Sequence, residues 1–128
     1  MKVLGGLMGD LASVPERARQ IEAKGYDGAV SAEVSSDPFL PLLLAAEHTE
    51  RVELMTSIAV AFARNPMTMA QLGHDLNAYS KGRAVVGLGS QIRPHIQKRF
   101  GMPWSRPAAR MRDLVLAIRA IWRSWHDG

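Results

Sequence analysis

Few side chains in this sequence could do chemistry, and several familiar kinds are missing. The 128 residues contain no cysteine, which removes thiolate nucleophiles, disulfides and sulfur-ligated metals. His48, His74, His95 and His126 are scattered and offer no ligand spacing for a metal. Arg93, His95 and Lys98 form a basic cluster that suits either an anionic group of a substrate or cofactor, or plain solvation. Gly87 and Gly89 flank Leu88. Their missing side chains admit close approach of a bound molecule, and equally let a strand bend. A phosphate-cradling turn is not visible, because Met8-Gly9-Asp10-Leu11 lacks the G-x-G-x-x-G spacing.

The elements that must position these residues follow from apolar runs and their punctuation. Lys2 to Met8 reads as a buried first strand feeding a turn at Gly9-Asp10. Ser13-Val14-Pro15-Glu16 has the form of a capping box, so a helix starts there, with Ala18 and Ile21 inward and Gly25 as its left-handed stop. Tyr26 to Ser31 is a second strand, followed by a polar loop to Asp37. Asp37-Pro38 opens a helix whose apolar stretch, Phe39 to Ala46, predicts deep burial. Arg51 to Val60 is a third strand rich in β-branched residues. Asn65-Pro66 starts a third helix with Met69, Leu72, Gly73, Leu76 and Tyr79 at helical spacing, closed by Ser80-Lys81-Gly82. Arg83 to Leu88 is a fourth strand. A proline-rich loop follows, with a short helical piece from His95 to Phe100. Then comes an amphipathic helix carrying Met111, Leu114, Val115, Ile118, Ile121, Trp122 and Trp125 on one face.

Strands alternating with helices in this way imply an α/β protein with a parallel sheet and right-handed crossovers. Length alone suits an open doubly wound sheet, whereas a closed (β/α)8 TIM-type barrel needs about 250 residues. The missing glycine-rich turn favours the barrel, with only the first four β/α units present and residues 1–128 forming its N-terminal half. No run reaches the ~18 apolar residues of a membrane span, so a soluble, cytoplasmic protein is expected. The net charge of +4 raises nucleic acid as a partner. Basic residues from Lys81 to Arg123 interleave with apolar ones as on a solvated helix face, and no reading motif appears, so no nucleic-acid partner is expected.

Three segments carry a resemblance. They are Leu54-Met55-Thr56-Ser57-Ile58-Ala59-Val60-Ala61-Phe62-Ala63-Arg64-Asn65-Pro66, then Lys81-Gly82-Arg83 leading to Gly87-Leu88-Gly89-Ser90-Gln91, and His95 to Trp104. In these the chain resembles the luciferase-like monooxygenase superfamily, in particular its branch of oxidoreductases using the deazaflavin coenzyme F420. The resemblance spans the whole chain but only the family's first half. It implies a cofactor ring at the C-terminal strand ends and a cis peptide in the third strand, here Ser57–Ile58, forming a bulge against one face of the ring. Gly87 and Gly89 would border the same ring.

Glu33 lies just past the second strand, where the family often has an Asp or His near the ring's reactive region. By that resemblance it is the candidate catalytic acid or base, against the plain reading of a solvated loop glutamate. A shift of one residue would set Ala32 there instead. Some relatives place a catalytic glutamate after the fourth strand, where this chain has Gln91-Ile92-Arg93, so that mechanism does not carry over.

The implied function is hydride transfer between coenzyme F420 and a small organic substrate, by a homo-oligomer of dimeric type. An FMN-dependent monooxygenase is the alternative within the enzyme class. A catalytically inactive half-barrel fragment or assembly module is the alternative outside it.

Overall fold

The computed structural model describes residues 1–127. Strand β1 (Leu4–Gly6) leads through a short 3-10 turn into helix α1 (Val14–Ala23). Then come β2 (Gly28–Ser31), α2 (Phe39–His48), β3 (Glu53–Thr56), β4 (Ala59–Val60), α3 (Pro66–Tyr79), β5 (Ala84–Val85), β6 (Leu88–Gly89) and α4 (Pro107–Asp127). The main sheet is parallel throughout, in the order β1-β2-β3-β5, and β4 pairs separately with β6, also in parallel.

Sheet order decides between the two architectures. An open doubly wound sheet reverses its strand order at a switch point and sends helices to both faces. Here each strand lies beside its predecessor, and α1 packs on α2, α2 on α3 and α3 on α4. Consecutive helices in consecutive contact must share one face of the sheet, which is the arrangement of a barrel wall. Four β/α units form that arc. Among the described residues the outer edges of β1 and β5 have no strand neighbour.

The core runs between sheet and helices through Val14, Ala18, Ala29, Leu42, Val52 and Leu54, each wholly excluded from solvent. Several local expectations need correction. Asp10 caps the 3-10 turn that precedes α1, its Oδ1 accepting the Ser13 N–H at 3.1 Å. The Ser13 hydroxyl instead donates to the Asp10 carbonyl, so the capping box does not form. Helix α2 is buried on one side only: Leu42, Ala45 and Ala46 face the core, while Leu40 and Leu43 are half exposed over an apolar groove shared with Leu72 and Tyr79. Apolar composition therefore overstated its burial. On α4 only Leu114 and Ile118 are buried, and Trp125 at the far end of the stripe is exposed. The third and fourth strands are each broken in two, at 57–58 and 86–87.

At the N-terminal end of the strands two polar side chains tie the layers together. The Glu22 carboxylate accepts the backbone N–H groups of Glu50, Arg51 and Val52 at 2.8–3.1 Å. Burial alone would raise its pKa. The three N–H bonds and the Arg51 charge outweigh that and hold it below the ordinary carboxylate value. Arg83 donates to the carbonyls of Ser80, Val52, Ala46 and Thr49 and to Thr49 Oγ1, at 2.8–3.2 Å. It thereby satisfies the free carbonyls at the ends of α2 and α3.

Candidate active site

The opposite, C-terminal end of the strands is where barrels of this kind place their chemistry. β3 pairs regularly with β2 up to Thr56 opposite Ser31, and the Ser57 N–H donates to the Ser31 carbonyl at 2.7 Å. The next peptide bond, Ser57–Ile58, is cis, at the bond the resemblance indicated. Beyond it the chain changes partner: Ala59 N–H donates to the Gly87 carbonyl at 2.8 Å, and Ala59–Val60 pairs with Leu88–Gly89. The result is a bulge with Ser57 exposed, Ile58 half-buried, and Ala59 and Val60 completely buried behind them.

Gly87 and Gly89 are explained by that bulge. A Cβ on Gly87 would stand 2.1 Å from the Thr56 carbonyl oxygen, and one on Gly89 would stand 2.6 Å from Ile58 Cδ1. Thr56, 1% exposed, completes the joint. Its hydroxyl donates to the Gly87 carbonyl at 2.8 Å and accepts the Gly87 N–H at 2.9 Å. The glycines therefore admit the Thr56 backbone and the Ile58 side chain into the space a Cβ would fill.

Glu33 is not a solvated loop residue. Its side chain is 7% exposed, and its Oε2 accepts the Val60 N–H at 2.6 Å and an Arg64 guanidinium N–H at 2.7 Å. Its own N–H donates to the Ile58 carbonyl at 3.2 Å. Arg64 also donates to the Val60 carbonyl and to Asp37, and lies over the Phe39 ring with its Cζ 5.5 Å from the centroid. Asp37 in turn caps α2 through the N–H groups of Phe39 and Leu40. Sequence reasoning assigned no role to Arg64 or Thr56, although both lie in the segment that carries the resemblance.

The structure thus brings Glu33, Ser57, Ile58, Gly87 and Gly89 into one place. The basic cluster stands apart: Arg93, His95 and Lys98 are exposed, and His95 Nδ1 lies 3.1 Å from Gln91 Oε1. Arg99 instead ties its loop to the second-strand loop by donating to the Val34 carbonyl. Trp104 packs edge-on against Phe62. Among the described residues no cluster of His, Asp and Glu could hold a metal, and no helix is long and apolar enough to cross a membrane. A cavity of about 780 Å³ lies elsewhere, between α3, α4 and the open edge of β5, lined by Gly73, Val86, Trp122 and Trp125 among others. The bulge is an open shelf rather than an enclosed pocket.

A parallel β/α barrel wall with a cis-peptide bulge at its strand ends defines a narrow class of folds. The luciferase-like monooxygenase family profile matches residues 3–128, and the chain belongs to that family. It is 60% identical over 128 residues to an uncharacterized protein of Mycobacterium tuberculosis, covering all of this chain and 38% of that one. A second M. tuberculosis protein, provisionally named a coenzyme F420-dependent oxidoreductase, is 32% identical over 102 residues, covering 79% of this chain and 29% of that one. In structure the chain is similar to the oxygenating constituent of 3,6-diketocamphane monooxygenase from Pseudomonas putida, solved with FMN. That match has a TM-score of 0.82 at 18% identity, covering 95% of this chain and 40% of that one. The chain thus spans well under half the length of these relatives.

Proposed function

We propose that this chain supplies the ring-supporting wall of an oxidoreductase that uses coenzyme F420 to move a hydride to or from a small organic substrate. The observation that carries the reading is the bulged shelf at Ser57 and Ile58, at the C-terminal strand ends, for which Gly87 and Gly89 make room. F420 is preferred to FMN because the F420-type relative is similar in sequence at 32% identity, whereas the FMN-bound structure, at 18%, speaks to the fold alone.

The residues present fit one face of a planar ring. Ser57 and Ile58 offer a small polar and a branched apolar surface side by side, and the nearest strand adds backbone without side chains. When bound, the deazaflavin supplies the hydride chemistry. Ile58 and the glycine backbone would exclude water from the covered face, leaving the other face to the substrate. Ala59 and Val60, buried and paired with β6, would keep the shelf from yielding under the ring.

Titrating F420 and FMN separately into the purified chain, followed by the absorbance and fluorescence of each cofactor, tests the reading. Saturable binding of F420, tighter than that of FMN, is expected. Saturable binding of FMN alone would move the assignment to a flavin-dependent monooxygenase. Binding of neither would leave the chain an inert wall.

A further inference from the structure

We infer that Glu33 and Arg64 form a positioning pair that holds the shelf in place. The inference rests on the proposed function for its consequence in cofactor binding, and on geometry alone for its structural part.

β2 ends at Ser31, so it offers no backbone partner to the chain beyond Thr56 and Ser57. On its other flank the bulge is held by β6 through Ala59 N–H and the Ala59–Val60 ladder. The flank facing β2 would leave the Val60 N–H buried without a partner, a costly arrangement. Glu33 supplies what the missing strand would have supplied. Its backbone N–H takes the Ile58 carbonyl and its carboxylate takes the Val60 N–H, so one residue grips both sides of Ala59.

Arg64 locks the grip. Its Nη1 reaches both Glu33 Oε2 and the Val60 carbonyl, and its Nη2 reaches Asp37 at the start of α2. A planar fork makes these bonds from two nitrogens held a fixed distance apart, a span that the single nitrogen of an ammonium does not offer. Glu33 has a 7%-exposed side chain whose Oε2 serves both donors at once, so the Val60 N–H and the Arg64 guanidinium are held on one oxygen.

The test compares E33A, E33Q and R64K in the full chain, by the amide resonances of Ala59 and Val60 without cofactor and by F420 affinity. Glutamine keeps an oxygen for the Val60 N–H but cannot act as an acid or base. Positioning therefore predicts that E33A displaces the Val60 amide resonance and weakens F420 binding roughly ten-fold or more. E33Q should restore the resonance and bind within roughly three-fold of the parent. R64K should shift the same two amides in a chain whose core amides, such as Leu54, stay in place.

An unmoved Val60 resonance in E33A, or in R64K should E33A not fold, would overturn the inference. So would an E33Q chain that behaves like E33A. If the parent chain binds neither cofactor, the functional proposal fails by itself, and the amide shifts still decide whether Glu33 and Arg64 position the shelf.

Discussion

Replacing Gly87 with alanine probes the joint on which the shelf depends. The new Cβ would sit 2.1 Å from the Thr56 carbonyl oxygen, 0.9 Å inside the 3.0 Å that Cβ atoms keep from other heavy atoms. The obstacle is backbone within a strand, so no side-chain rotation relieves it. β3 and the β5–β6 connection must part by roughly 1 Å, a shift that packed interiors resist. Three hydrogen bonds lie across that gap: Thr56 Oγ1 to the Gly87 carbonyl, Gly87 N–H to Thr56 Oγ1, and Ala59 N–H to the Gly87 carbonyl.

Losing three such bonds at about 1 kcal/mol each, with about 1–3 kcal/mol of overpacking, gives a loss of roughly 4–6 kcal/mol. Urea unfolding of the chain, followed by far-UV circular dichroism, would show a lower midpoint at unchanged slope. Gly25→Ala is the internal control. Its Cβ meets nothing within 4 Å, but φ is +79°, so the conformational cost alone is about 1–2 kcal/mol. A Gly87→Ala chain no less stable than Gly25→Ala would refute the claim that Gly87 is glycine because β3 occupies its side-chain space.

Gly89→Ala meets the Ile58 side chain, with Cδ1 at 2.6 Å, Cγ1 at 2.8 Å and Cβ at 3.3 Å, of which the two outer atoms can turn aside. Stability should fall by about 1 kcal/mol, while F420 affinity falls roughly ten-fold as Ile58 is pushed outward, measured by the same titration. Glu22→Gln should cost about 1–2 kcal/mol at neutral pH, discounted for its partial exposure. Because the folded-state pKa of Glu22 lies below its ordinary value of 4.5, its contribution is complete above that value and is lost as pH falls through the folded pKa. Urea midpoints of parent and E22Q should therefore converge on acidification. Arg83→Ala should cost about 2–4 kcal/mol, and Arg83→Lys should recover less than half, since lysine cannot span the ends of α2 and α3 together. An Arg83→Lys chain as stable as the parent would show that the fork is immaterial.

Apolar runs, proline-capped helix starts and glycine stops are local signals, and they suffice for the β/α order, the Asn65 cap and the Gly25 stop. The family likeness of the segment from Leu54 to Pro66 also located the Ser57–Ile58 bulge, though hydrophobic pattern alone showed one continuous strand. Tertiary structure decided what depends on partners far along the chain. Glu33 looks like any loop glutamate until β2 ends short and leaves the Val60 N–H to be satisfied. Gly87 and Gly89 read equally as a cofactor border or a bend until Thr56 and Ile58 are seen filling their side-chain space. Arg64 and Arg83 lie in segments that carry the family likeness, yet nothing in their type or spacing tells what either one binds. Each gains its role by joining backbone groups that meet only when consecutive β/α units close side by side.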